Sequence, residues 1–114
     1  MAELIHRHSK VVRSGDGKRY RATSYGEQRR DGTWSGWIEF VPADGAQDAA
    51  LRTDQETSQP DRQAVDYWAG GLEPIYLEGA LNRARKRQER SGLGREWESV
   101  EGRGRKADPS LRSG

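Results

Sequence analysis

From Lys18 to Val41, two alternating segments flank the dipeptide Asp31-Gly32, and nothing else constrains the fold of this chain as much. Asp-Gly takes the left-handed backbone of tight β-turns, so the stretch predicts a β-hairpin. In its first arm Tyr20, Ala22 and Ser24 share one face, while Arg19, Arg21, Thr23 and Tyr25 share the other. In its second arm Trp34, Gly36, Ile38 and Phe40 line the face expected to be core, opposite Ser35, Trp37, Glu39 and Val41. Pro42-Ala43-Asp44-Gly45 ends that arm with turn chemistry. A hairpin alone is marginal in water, so more strands or a helix must cover it. Ala49 to Thr53 supplies a third short strand. Residues 1–17 form an N-terminal segment in which Leu4, Ile5, Val11 and Val12 allow a fourth strand, before Ser14-Gly15-Asp16-Gly17 breaks it.

Helical periodicity follows. Thr57-Ser58-Gln59-Pro60-Asp61 reads as a helix start: a hydroxyl cap, then proline and an acid in the first turn. Ala64, Val65 and Trp68 make its apolar stripe, and Gly70-Gly71 stops it. Glu73-Pro74 begins a second helix, expected to run to about Arg90 and to halt at Ser91-Gly92. Its core stripe is Leu77, Ala80, Leu81 and Ala84, with Tyr76 at the edge. The expected architecture is therefore α+β: a three-stranded antiparallel sheet, four-stranded if the N-terminal segment joins, followed by two helices packed on one face. The folded part is expected over residues 18–91. Residues 92–114, with five glycines, Pro109 and scattered charges, are expected to be a disordered tail.

Composition excludes several classes. Hydrophobic residues are 32% and charged residues 33%, too polar for a large core. Cysteine is absent, which removes disulfide frameworks and thiolate zinc sites. No apolar run approaches a membrane span, so no membrane partner is expected. The first residues lack the apolar stretch of a signal peptide, so the expected location is cytoplasmic. The net charge of +2 hides three blocks: +3 over residues 1–42, −6 over 43–78 and +5 over 79–114. Such polarity suits an anionic partner, or a protein partner or second copy that pairs basic with acidic faces.

Two basic surfaces are candidates. On the second helix Arg83, Lys86, Arg87 and Arg90 fall in one arc, clear of the core stripe, while Arg85 is placed to pair with Glu89 at i, i+4. Four cations on one face suit a phosphate backbone. In the hairpin, Arg19, Arg21, Arg29 and Arg30 bring charge, and Tyr25 and Trp37 bring rings on the face away from the core. Trp37 is either such a contact or, as the size of its ring favours, covered by the N-terminal segment or a helix.

The Asp31-Gly32-Thr33-Trp34 tip, the strand around Leu51-Arg52-Thr53 and the Thr53/Thr57 stretch leading into a helix resemble the three-strand-plus-helix DNA-binding domains of the AP2 type and of integrase arm-site domains. That resemblance covers about residues 18–69. It implies a sheet lying in the major groove, with Arg19, Arg21, Trp37 and Arg52 facing DNA. The string from Trp68 to Leu81 resembles a segment of small uncharacterised bacterial proteins, which implies no function.

Catalytic and metal chemistry find little support in the pattern. His6 and His8 stand two apart with no third ligand indicated, so they read as surface histidines. Glu56, Asp66, Glu73 and Glu78 could converge near the helix junction but read as caps and solvated faces. Gly70-Gly71 lacks the spacing of a phosphate loop. No catalytic residue, metal, cofactor or small-molecule substrate is expected. The expected function is a small non-enzymatic binding module that contacts nucleic acid through the basic helix face and the arginine-rich strands. The alternative is a protein-interaction module: an adaptor, an antitoxin-like regulator or a homodimer.

Overall fold

A computed structural model of the chain describes residues 1–45 and 49–101, with side chains as far as residue 90. Five strands and two helices follow in order: β1 (Glu3–Arg13), β2 (Arg19–Gln28), β3 (Trp34–Pro42), β4 (Leu51–Arg52), β5 (Thr57–Gln59), α1 (Arg62–Gly70) and α2 (Pro74–Glu101). The sheet is antiparallel in the order β1-β2-β3-β4, and β5 pairs with the other end of the same β3 edge.

The hairpin forms where the alternation places it, with β2 and β3 paired from Tyr20↔Pro42 to Gln28↔Trp34. Its tip is a three-residue loop rather than a two-residue turn. Arg29 N donates to Thr33 O at 2.7 Å, and Gly32 N donates to Arg29 O at 2.9 Å. Gly32 sits at φ 90°, the left-handed step that closes such a loop. Asp31 Oδ1 accepts from the Thr33 amide and hydroxyl, and these bonds hold its carboxyl below the usual aspartate range.

The N-terminal segment is a full edge strand. Two irregularities in β1, between Leu4 and His6 and between Arg7 and Val11, shift its register against β2. The first changes which face the strand shows: Leu4 is opposite Tyr25, but His6 is opposite Ser24.

Both helices cover one face of the sheet. Tyr20, Ala22, Ile38, Phe40, Val12 and Leu51 from the sheet meet Leu77, Ala80, Leu81 and Ala84 from α2 in one buried cluster. The predicted stripe of α2 is thus its packing face. Val65 and Ala69 of α1 are also buried. Gly36 explains how closely α1 and β5 approach: a Cβ there would lie 2.9 Å from Thr57 Cγ2 and 3.2 Å from the Trp68 ring.

Three expectations need correction. Thr57-Ser58-Gln59 is a strand, not a helix cap, because its backbone completes the β3 edge: Trp34↔Gln59 and Gly36↔Thr57 pair. The helix starts later, capped by Asp61, whose extended backbone (φ −155°) lets its side chain accept from Ala64 N at 2.9 Å. The second helix does not halt at Ser91-Gly92 but continues to Glu101. Its glycines cost about 1 kcal/mol each, and the arginine, glutamine and glutamate around them are good helix formers. The rest of the expected tail, residues 102–114, lies outside the described residues.

Candidate nucleic-acid interface

The basic stripe of α2 does not face solvent unopposed. The turn between β4 and β5 brings Asp54 and Glu56 against it. Arg83 grips Glu56 through two bonds, Nε to Oε2 at 3.1 Å and Nη2 to Oε1 at 2.6 Å. Tyr76 donates its hydroxyl to the same carboxylate at 2.5 Å, and the Arg83 guanidinium lies 5.3 Å from the Tyr76 ring centre. Arg87 Nε reaches Asp54 Oδ1 at 2.7 Å, and Arg90 Nη2 reaches Asp54 Oδ2 at 3.3 Å. Of the four predicted cations on this helix, Lys86 alone makes no ion pair among the described residues. Arg85 pairs with Asp16 at 3.2 Å rather than with Glu89. Of the four carboxylates thought able to converge, Glu56 is drawn into this contact, while Asp66, Glu73 and Glu78 stay exposed. Burial of the Tyr76 phenol, then its bond to Glu56, push its pKa up to about 12.

Among the described residues no helix packs on the other face of the sheet. Registers there define rows across the strands. Arg13 lies opposite Arg19. Val11, Arg21 and Val41 form the next row. Arg7, Thr23, Glu39 and Arg52 form a third, reaching from β1 to β4. Leu4, Tyr25 and Trp37 form a fourth. Among the described residues Arg7, Arg21 and Arg52 make no salt bridge. Arg19 is held by Asp44, with Nη2 to Oδ1 at 2.5 Å, and that bond lowers the pKa of the Asp44 carboxyl. Glu27 pairs with the N-terminal amine at 3.0 Å.

Trp37 is buried, at 4% exposure. The Tyr25 ring stacks beside it at 6.2 Å with planes 12° apart, and the Arg52 guanidinium lies 4.5 Å from its ring centre. Trp37 Nε1 donates to Glu39 Oε2 at 3.3 Å. The ring is therefore occupied and does not offer a base a bare stacking surface. It holds Arg52 by cation–π attraction, worth about 0.5–1 kcal/mol near a surface. Tyr25 keeps partial exposure at the margin of the stack.

The hairpin arginines divide. Arg29 donates to Thr33 Oγ1 at 3.1 Å, to Gln55 Oε1 at 2.8 Å and to Ser58 Oγ, tying the hairpin to the β4–β5 turn and β5, and makes no ion pair among the described residues. Arg30 is exposed in the loop and makes no ion pair among the described residues. So the fold brings Arg19, Arg21, Tyr25, Trp37 and Arg52 onto one face, with Arg29 and Arg30 at its hairpin end. It sets Arg83, Lys86, Arg87 and Arg90 apart, beyond the β4–β5 turn. Arg7 was missed by the sequence reading; the alternation signal that could have found it is masked by the bulges of β1.

No group of three or more histidine, aspartate or glutamate side chains fit to hold a metal occurs among the described residues. Among those residues no helix is long and apolar enough to cross a membrane. Comparison with protein-family models, with curated proteins and with solved structures finds no match to this chain.

Proposed function

We propose that this chain is a nucleic-acid-binding module that works through the face of its sheet opposite the two helices. The observation that carries the reading is the placement of Arg7, Arg21 and Arg52 on that face, on three different strands, each without a salt bridge among the described residues. Three inter-strand spacings separate β1 from β4, about 14 Å, enough to meet more than one phosphate. Arginine suits the task, because its planar fork binds phosphate oxygens in pairs. The buried state of Trp37 supports contact with the backbone rather than intercalated bases. The α2 stripe takes a secondary part at most, since three of its cations already hold carboxylates. The test is fluorescence anisotropy of labelled duplex and single-stranded oligonucleotides against the wild-type chain and an Arg7→Ala/Arg21→Ala/Arg52→Ala variant. Binding by the wild type that the variant loses supports the reading; equal binding by both overturns it.

A second reading has one specific observation behind it. Leu4, Val11 and Val41 are exposed on the same face, at 40%, 39% and 52%. Such apolar spots between arginines suit a protein surface, including a second copy. A salt-resistant dimer in light scattering would favour that reading.

A further inference from the structure

The other side of β1 carries an anomaly. Its residues facing the helices should be apolar, as Val12 is, yet the first bulge turns His6 onto that side, opposite the fully buried Ser24. His8 is there too: its Nε2 and Ser24 Oγ share a hydrogen bond of 2.8 Å. The two imidazoles are the only histidines of the chain, and their ring centres lie 4.7 Å apart. Both are half-buried. Polar groups at such positions cost desolvation, and the cost shows: burial, then the neighbouring His6, push the His8 pKa down to about 4.

A groove of about 220 Å³ opens beside them, between β1 and the turn that joins α1 to α2. His6, His8, Ser9 and Lys10 line one wall; Gly70, Leu72, Pro74 and Leu77 line the other. Among the described residues no carboxylate lines it. His8 satisfies Ser24, so one of its nitrogens has a structural task. Its second nitrogen, both nitrogens of His6 and the Lys10 ammonium have no hydrogen-bond or ion-pair partner among the described residues. Hydrogen-bonding groups of neutral or positive charge thus meet around a small space with an apolar far wall.

We propose that this groove is a binding site for a small oxyanion, a carboxylate or phosphate group, held by His6, His8 and Lys10. The ammonium supplies charge, and the imidazoles supply N–H donors on the side of the groove nearest the sheet. The apolar wall of Leu72, Pro74 and Leu77 accommodates a short carbon skeleton attached to the anion. This site lies across the sheet from the arginine rows, so it is independent of the nucleic-acid reading.

The test is a nuclear magnetic resonance titration of the isotope-labelled full chain with inorganic phosphate and, separately, with acetate. Chloride at matched ionic strength is the control. Saturable shifts of the His6 and His8 ring signals are expected, and the tighter of the two anions assigns the group. A His6→Asn/Lys10→Ala variant should bind about tenfold more weakly or worse, with an unchanged melting temperature. The Arg21→Ala/Arg52→Ala variant should bind the anion as the wild type does. Shifts that do not saturate, or that chloride reproduces, overturn the proposal. So does undiminished affinity in the folded His6/Lys10 variant.

Discussion

Arg83 and Glu56, 27 residues apart in the chain, form a two-bonded ion pair that clips the β4–β5 turn to the second helix. The Glu56 side chain is 8% exposed and that of Arg83 49%, so the carboxylate sits at the buried end of the contact. Tyr76 completes it from below. Glu56→Gln should therefore lower stability by about 1–3 kcal/mol, because a buried acceptor weakens while its donors remain. Tyr76→Phe removes one bond and should cost about 0.5–1.5 kcal/mol. Urea unfolding of the two variants checks both values. Absorbance titration should find the Tyr76 phenol still protonated well above pH 10, with ionisation near 12.

The hydrogen on Gly36 is a packing requirement. A methyl group there would meet Thr57, Trp68 and Val65 at 2.9, 3.2 and 3.4 Å. Two of these belong to α1 and one to β5, so neither can yield alone. Gly36→Ala should destabilise the fold by about 1–3 kcal/mol, the usual range for overpacking. Gly15→Ala meets open space and should be close to neutral. Thermal unfolding of the pair separates a packing effect from a general effect of losing glycine.

Acid should weaken the fold in a window set by His8. Its folded pKa lies near 4 against an ordinary 6.5, so the unfolded chain binds the extra proton first. The stability His8 contributes is complete above about pH 6.5 and is lost as pH falls toward 4. Because the ring is only half-buried, the loss is discounted to about 1–2 kcal/mol. Asp16, Asp31 and Asp44 act at lower pH, since their carboxyls titrate below the ordinary 3.8. Denaturant unfolding at pH 7 and pH 5 should show a smaller difference for His8→Gln than for the wild type.

Trp37 is expected to act on binding through Arg52. Trp37→Phe keeps an aromatic ring but weakens the cation–π hold on the guanidinium. It should reduce nucleic-acid affinity two- to fivefold, about 0.5–1 kcal/mol. In an Arg52→Ala background the same change should do nothing further. An additive double-mutant cycle would show that Trp37 supports the face in some other way.

Alternation made most of the sheet legible before any coordinates. Tyr20, Ala22, Ile38 and Phe40 are buried as their spacing requires, and so is the Leu77–Ala84 stripe. Thr57-Ser58-Gln59 was not legible, because a short polar strand is defined by the β3 edge it completes and not by its own residues. The pairing of Arg83, Arg87 and Arg90 was equally hidden. Their partners stand 27 to 36 residues away, and helical spacing encodes nothing about a distant turn. Sequence therefore put the helix stripe first and the hairpin arginines second, and the ion pairs of Arg83, Arg87 and Arg90 reverse that order.

The salt dependence of oligonucleotide binding tests that reversal most directly. For the wild-type chain, log affinity should fall linearly with log salt concentration. Each phosphate contact adds about 0.7–0.9 to the slope, so the Arg7→Ala/Arg21→Ala/Arg52→Ala variant should lose about two to three. Arg87→Ala/Arg90→Ala should leave the slope within about one of the wild type. An unchanged slope in the sheet-face variant, with the loss appearing in the helix variant instead, would contradict the account.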